Sequence, residues 1–224
     1  IPQKHNAEST LYENSLEGGT VKIKGSIDRV DTFTQNGKQY VRVVDYKSGN
    51  KTFSLNDIMY GINLQMFVYL FTLCESDNKL SGIGSGVLYM HSARDIINID
   101  NAFDTATLES KENSSFKMKG IVLNDEENDT LLLVENESIE LDDLMGKFLP
   151  VKYTKKSGLT GSIVTLEEIG MISRKVDALV KEMGDSLHDG KIMQHPINGK
   201  NYDKTCEFCD YIDICRNRCD VTPN

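Results

Sequence analysis

The sequence contains no run of about 18 apolar residues, so a membrane-spanning helix is not expected. No signal-peptide pattern opens it, no internal repeat is visible, and proline is scarce, with four in 224 residues. There is no Gly-x4-Gly-Lys-Ser/Thr loop, which excludes a P-loop motor within these residues. Positive charge is also in deficit, with 25 Lys and Arg against 34 Asp and Glu and a net charge of -9. Taken alone, that deficit argues against a polyanionic partner. Its distribution argues otherwise. Thr20 to Phe53 holds seven Lys or Arg against three Asp, whereas Asp100 to Asp143 holds three Lys against thirteen acids. The acidity thus belongs to a middle segment. The remaining composition, 39% hydrophobic and 26% charged, is that of a soluble globular protein with room for one substantial domain. A start at Ile1-Pro2-Gln3 rather than Met is what a piece of a longer chain would show.

The stretch from Val21 to Phe33 alternates as one strand, with Val21, Ile23, Gly25 and Ile27 on one face and Lys22, Lys24, Ser26 and Asp28 on the other. Asn36-Gly37 is a strong hairpin signal, and Gln39 to Lys47 reads as the return strand. Asp28 and Asp45 lie at comparable offsets from that turn, so the hairpin predicts that they meet. Asp45 and Lys47 are two residues apart and project to one side, with Tyr46 on the other.

Ser54 and Asp57 sit in capping-box positions ahead of an apolar periodicity, which predicts one helix from about 55 to 74. Gln65 and Tyr69 share a face of it, and Cys74 reads as a small buried hydrophobe. Val87-Leu88-Tyr89-Met90 reads as a central strand within 82–99. Residues 100–160 read as an elaboration, with strand-like runs at 116–122 and 130–135 and Gly120 as turn material. Thr165 and Glu168 form a second capping box, opening an amphipathic helix over 165–189 that Gly190 stops. The leader 1–19 reads as irregular; His5, Glu8 and Glu13 are its ligand-type side chains. His195 precedes Pro196 in an extended segment and reads as structural or solvated.

Two carboxylates beside a lysine suit phosphodiester cleavage. Held between them, Mg²⁺ or Mn²⁺ would polarise the phosphoryl group and activate water. Asp28 and Asp45 can supply the carboxylates, the Tyr46 carbonyl a third oxygen, and Lys47 charge stabilisation. Gln65 and Tyr69 can reach such a site from the helix. Of five cysteines, Cys206, Cys209, Cys215 and Cys219 crowd into the last 19 residues. Without a secretory signal they read as a metal or iron–sulfur site rather than disulfides, and all four could bind Zn²⁺ locally.

Gly25-Ser26-Ile27-Asp28-Arg29-Val30-Asp31, Val44-Asp45-Tyr46-Lys47-Ser48-Gly49 and Leu64-Gln65-Met66-Phe67-Val68-Tyr69-Leu70 resemble the three motifs of RecB-type nucleases in the PD-(D/E)xK superfamily. Within that group they look most like the C-terminal nuclease domains of AddB subunits. The tail from Cys206 to Cys215 is similar to that group's Cys-x2-Cys-x5-Cys. The resemblance spans 20–74 and 165–216. It implies a restriction-endonuclease-like α/β fold, a mixed sheet flanked by helices, with a nuclease domain over 1–205 and a cysteine tail over 206–219. The 55–74 and 165–189 helices are expected on different faces of the sheet.

The same resemblance implies Asp28 and Asp45 as metal ligands, Lys47 as the catalytic lysine, and Gln65 and Tyr69 as auxiliary residues. It implies Cys206, Cys209 and Cys215 as three ligands of a [4Fe–4S] cluster whose fourth cysteine lies upstream. No cysteine precedes Asp28 here, and the acid or histidine of the group's first motif is not identifiable. DNA as substrate, an AddA-type helicase–nuclease subunit as partner, a cytoplasmic location in a bacterium and a role in recombinational repair of double-strand breaks follow from the same likeness. A stand-alone RecB-like or CRISPR-associated exonuclease is the alternative enzyme reading. A non-catalytic DNA-binding or scaffold module is the alternative from another class.

Overall fold

The computed structural model describes residues 9–16, 19–49, 52–75, 79–93, 114–125 and 148–191, with 206, 209–211, 214 and 215 of the tail. Part of the leader expected to be irregular is a strand: β1 (Ser9–Leu16) pairs antiparallel with β2 (Gly19–Gly25). The strand expected from Val21 to Phe33 is split. Ser26 to Asp28 leave the ladder, and β3 (Arg29–Gln35) belongs to a different sheet. Inward–outward alternation continues across the break, with Ile27 buried and Ser26 and Asp28 exposed. Period two therefore carries no sign of where one sheet ends and the next begins.

The Asn36-Gly37 turn forms as expected, with φ of 51° and 75°. These left-handed conformations match the twist of the flanking strands. The turn joins β3 to β4 (Lys38–Lys47), and the pairing runs from Gln35–Lys38 to Arg29–Val44. A 3₁₀ segment (Leu55–Tyr60) follows, then α1 (Gln65–Glu75) and β5 (Ile83–His91). The single helix expected over 55–74 is thus broken. Gly61 and Asn63 adopt left-handed φ of 74° and 59°, and Asp57 accepts a hydrogen bond from Asn63 Nδ2 at 2.6 Å. Asp57 braces that turn instead of completing a cap, and Ser54 makes no side-chain cap bond.

Next come β6 (Lys119–Leu123), the hairpin β7 (Val151–Thr154) and β8 (Gly158–Gly161), β9 (Ile163–Val164) and α2 (Leu166–His188). The central sheet runs β3-β4-β5-β6-β9; β4 is parallel to β5, and β6 is parallel to β9 but antiparallel to β5. Lys119–Leu123, within the stretch read as an elaboration, is therefore a strand of the core. The run 130–135 lies outside the described residues. Gly120 is not in a turn. Its φ is 150°, and a Cβ there would stand 2.0 Å from the Val87 carbonyl oxygen, so it lets β6 close on β5.

Both helices lie on one side of the sheet, contrary to the expected split. Met66, Phe67, Leu70 and Leu73 of α1 share one buried cluster with Ile169, Val176, Leu179 and Val180 of α2 and with Val41, Val43 and Val87. The other face is covered by the β7–β8 hairpin: Val44, Leu88 and Val122 pack with Leu149 and Val151. The capping box of α2 forms, with Glu168 N–H donating to Thr165 Oγ1 at 3.2 Å and Thr165 N–H to Glu168 Oε2 at 2.8 Å. Its end is a Schellman turn around Gly190, with Gly190 N–H donating to Leu187 O at 3.2 Å and Lys191 N–H to Ser186 O at 2.8 Å. No helix among the described residues is long and apolar enough to cross a membrane.

Candidate active site

Asp28, Asp45 and Lys47 sit at one end of the sheet because of register. Asp28 lies one step beyond the Arg29–Val44 pair, which sets it level with Asp45. Its Oδ2 accepts a hydrogen bond from Tyr46 N–H at 3.1 Å, so the predicted convergence of the two acids is present. Asp28 is exposed, whereas Asp45 is 6% exposed. Lys47 Nζ stands 2.5 Å from Asp45 Oδ2, so both side chains take one face. That same Oδ2 is buried, and the Lys47 ammonium is its one recorded partner. The ion pair thus holds a buried carboxylate oxygen at the end of the sheet.

Backbone geometry adds a third oxygen. The Lys47 carbonyl accepts from Ser92 N–H just past β5, at 3.0 Å. Carbonyls alternate edges along a strand, so that of Tyr46 faces the opposite edge, where Asp28 lies. These oxygens are of the kind a hard divalent cation takes. Among the described residues no group of three or more His, Cys, Asp or Glu side chains converges. The donor set here is two carboxylates and a carbonyl.

Gln65 and Tyr69 come together as their spacing predicts: Gln65 Nε2 donates to Tyr69 Oη at 2.8 Å. α1 runs antiparallel to β5. Cys74 and Leu70 fill the space over Gly84 at the start of that strand, while Phe67 meets Phe53, which also meets Tyr89 near its end. The first turn of α1, with Gln65, is therefore at the same end of the sheet as the acids. Cys74 is largely buried, and burial pushes its thiol up to about 11, as expected of an inert apolar filler.

Tyr89 adjoins the candidate site, a placement the sequence did not reveal. It pairs with Asp45 across the parallel β4–β5 ladder, and Lys47 Nζ lies 5.9 Å from its ring centroid. Burial, then the Asp45 and Asp57 charges, push its hydroxyl up to about 12, so it stays neutral at working pH. Nothing in the apolar run Val87–Met90 distinguishes it from core; only the strand pairing does. Asp31 takes a separate role. Arg29 Nε and Arg42 Nη2 lie 2.6 and 2.8 Å from its carboxylate, and their bonds outweigh burial to hold it below the usual range. Both arginines converge on this one carboxylate, so the network braces the far face of β4.

In the tail, Cys209 N–H donates to Cys206 O at 3.2 Å and Cys215 N–H to Tyr211 O at 2.8 Å. Cys206 is disulfide-bonded, while Cys209 and Cys215 are free thiols. Cys219, His5, Glu8 and His195 lie outside the described residues, as do the side chains of β1, Glu13 among them.

The sequence matches the PD-(D/E)XK nuclease superfamily over residues 2–216. It is 30% identical over 210 residues, 92% of its length, to a Clostridioides difficile protein named as the B subunit of an ATP-dependent helicase/deoxyribonuclease. It is 34% identical over 203 residues, 88% of its length, to the Clostridium novyi protein of that name. A Thermoanaerobacter relative of that name is 29% identical over 236 residues. The chain spans 17 to 19% of the length of these relatives.

Proposed function

Because the chain belongs to the PD-(D/E)XK nuclease superfamily, with the mixed sheet and flanking helices of a restriction-endonuclease-like fold, we propose that it hydrolyses DNA phosphodiesters at the Asp28–Asp45–Lys47 end of that sheet. The observation that carries this reading is the buried Asp45 carboxylate, paired with Lys47 and level with Asp28 across the hairpin. Asp28, Asp45 and the Tyr46 carbonyl would hold Mg²⁺ or Mn²⁺. When bound, such an ion supplies Lewis-acid activation of the phosphoryl group and of water. The chain's own residues do the rest. Lys47, fixed by Asp45 and by the Tyr89 ring, presents its ammonium to the charge that builds on the phosphoryl oxygens. Asp28 is held by the Tyr46 N–H rather than left to rotate in solvent. Gln65, locked to Tyr69, offers its amide to the DNA backbone.

By likeness to the helicase/deoxyribonuclease B subunits, the reading extends to exonucleolytic processing of DNA ends for recombinational repair. In that setting the domain works beside an AddA-type helicase–nuclease subunit in the bacterial cytoplasm. Cys206, Cys209 and Cys215 would be thiolate ligands of a [4Fe–4S] cluster only with the Cys206 disulfide reduced. Cleavage of end-labelled DNA by the full polypeptide tests the core of the reading. With Mg²⁺ the wild type should degrade the label, EDTA should stop it, and Asp45→Ala should lower the rate at least about 10²-fold. Equal rates for Asp45→Ala and wild type would contradict it.

A further inference from the structure

The row that contains Asp45 continues past Tyr89. β5 pairs antiparallel with β6, and Tyr89 stands opposite Lys119, so Asp45, Tyr89 and Lys119 form one line across three strands. Two strand spacings of about 4.8 Å put the Lys119 backbone on the order of 10 Å from that of Asp45. Beside this line lies a cavity of about 500 Å³, lined by Thr52, Phe53, Ser114, Lys117, Lys119 and Ser162 among others. Phe53 joins it to the site, since its ring packs on Tyr89 at 6.2 Å. Lys117 and Lys119 are both exposed. The acid-rich segment 100–143 contains three lysines, and two of them are these. In a stretch that otherwise repels DNA, the cations are placed where the sheet presents its catalytic end. Hydroxyls of Thr52, Ser114 and Ser162 supply neutral hydrogen-bonding groups around them.

We propose that this cavity is a subsite for a backbone phosphate of the DNA strand being cut, one or two linkages from the scissile one, with Lys117 and Lys119 as its cations. The inference rests on the nuclease reading and deepens it by giving the strand a direction, from the Asp28–Asp45 hairpin across Tyr89 toward β6. Contacts of this kind position a strand without reading its sequence. They should therefore appear in substrate binding and its salt dependence, with the chemical step nearly untouched.

The test uses the full polypeptide and end-labelled single-stranded oligonucleotides, some carrying one uncharged methylphosphonate linkage moved stepwise along the strand. The combined Lys117→Gln and Lys119→Gln variant should raise KM about tenfold, the loss expected of charge-assisted contacts, with kcat within about twofold. Its binding, measured by fluorescence anisotropy in EDTA, should depend less steeply on salt, by about 0.7 in log–log slope for each phosphate the variant no longer neutralises. A methylphosphonate at one flanking linkage should raise KM for the wild type and leave the variant unchanged. Both lysines are exposed, so the variant should keep the wild-type melting temperature. Wild-type KM and salt slope in the variant would overturn the subsite while leaving the nuclease reading intact. No cleavage by the wild type with Mg²⁺ would overturn both.

Discussion

On the proposed reading, Asp45 is the residue on which function and stability pull apart. A carboxylate 6% exposed, whose charge is met by a partly exposed Lys47 two residues away, is a poor choice for stability alone. Its neutralisation should therefore cost the fold little. Asp45→Asn is expected to melt at or above the wild-type temperature while losing cleavage, in line with the usual trade between a strained site and stability. A fall of several degrees in Tm would contradict that. Asp31 behaves in the opposite way. It ties two guanidiniums, one of them on Arg42, 5% exposed, so Asp31→Asn should cost about 2–4 kcal/mol at neutral pH. The sign of the pH effect follows from its lowered pKa. Between the folded value and the ordinary value of about 3.8, the unfolded chain binds more protons, so stability rises with pH there. The contribution is fully present above that window and lost as pH falls through the folded pKa. Denaturant titrations of wild type and Asp31→Asn should thus converge in acid, whereas a pH-independent gap would show the pair to be irrelevant.

Among the elements, those closed by a tight turn or a cap were legible in the sequence, and those set by sheet pairing or by a left-handed break were not. The Asn36-Gly37 hairpin and the Thr165–Glu168 box formed where the residue types demanded, and Thr165→Ala should cost about 1 kcal/mol of stability by thermal unfolding. The break at Ser26–Asp28 was hidden because burial alternates straight through it. The helix expected from Ser54 stopped at Gly61, where a left-handed residue and the Asn63–Asp57 bond proved stronger than the apolar spacing. Met59 and Tyr60, counted or included in that helix, are exposed at 59% and 57%. Gly120 looked like turn material because glycine marks turns more often than close strand contacts. Its φ of 150° and the 2.0 Å approach of the Val87 oxygen predict that Gly120→Ala loses at least about 2 kcal/mol and disturbs β5, hence the Tyr89 placement. An unchanged denaturation midpoint would show that the two strands need no such closeness.

For the whole molecule, the arrangement separates a working end of the sheet from its support. Both helices pack on the face that carries Asp45 and Lys47, and the β7–β8 hairpin closes the other, so the acids lie at the rim of a core rather than in a mobile loop. The hairpin acids and Lys47 could be placed together from the sequence because one tight turn fixes their register. Tyr89 and Lys119 could not, because parallel β4–β5 and antiparallel β5–β6 pairing bring residues together from 44 and 30 positions away in the chain. The net charge of -9 likewise misleads until its distribution is followed onto the sheet. In the proposed site, Asp28 and Asp45 would jointly hold a divalent ion where DNA is cut. Mn²⁺ binding measured by electron paramagnetic resonance on the full polypeptide tests it most directly. Asp28→Asn and Asp45→Asn should each weaken binding at least about tenfold, and Lys47→Ala should not weaken it. Wild-type Mn²⁺ affinity in both acid variants would contradict the account.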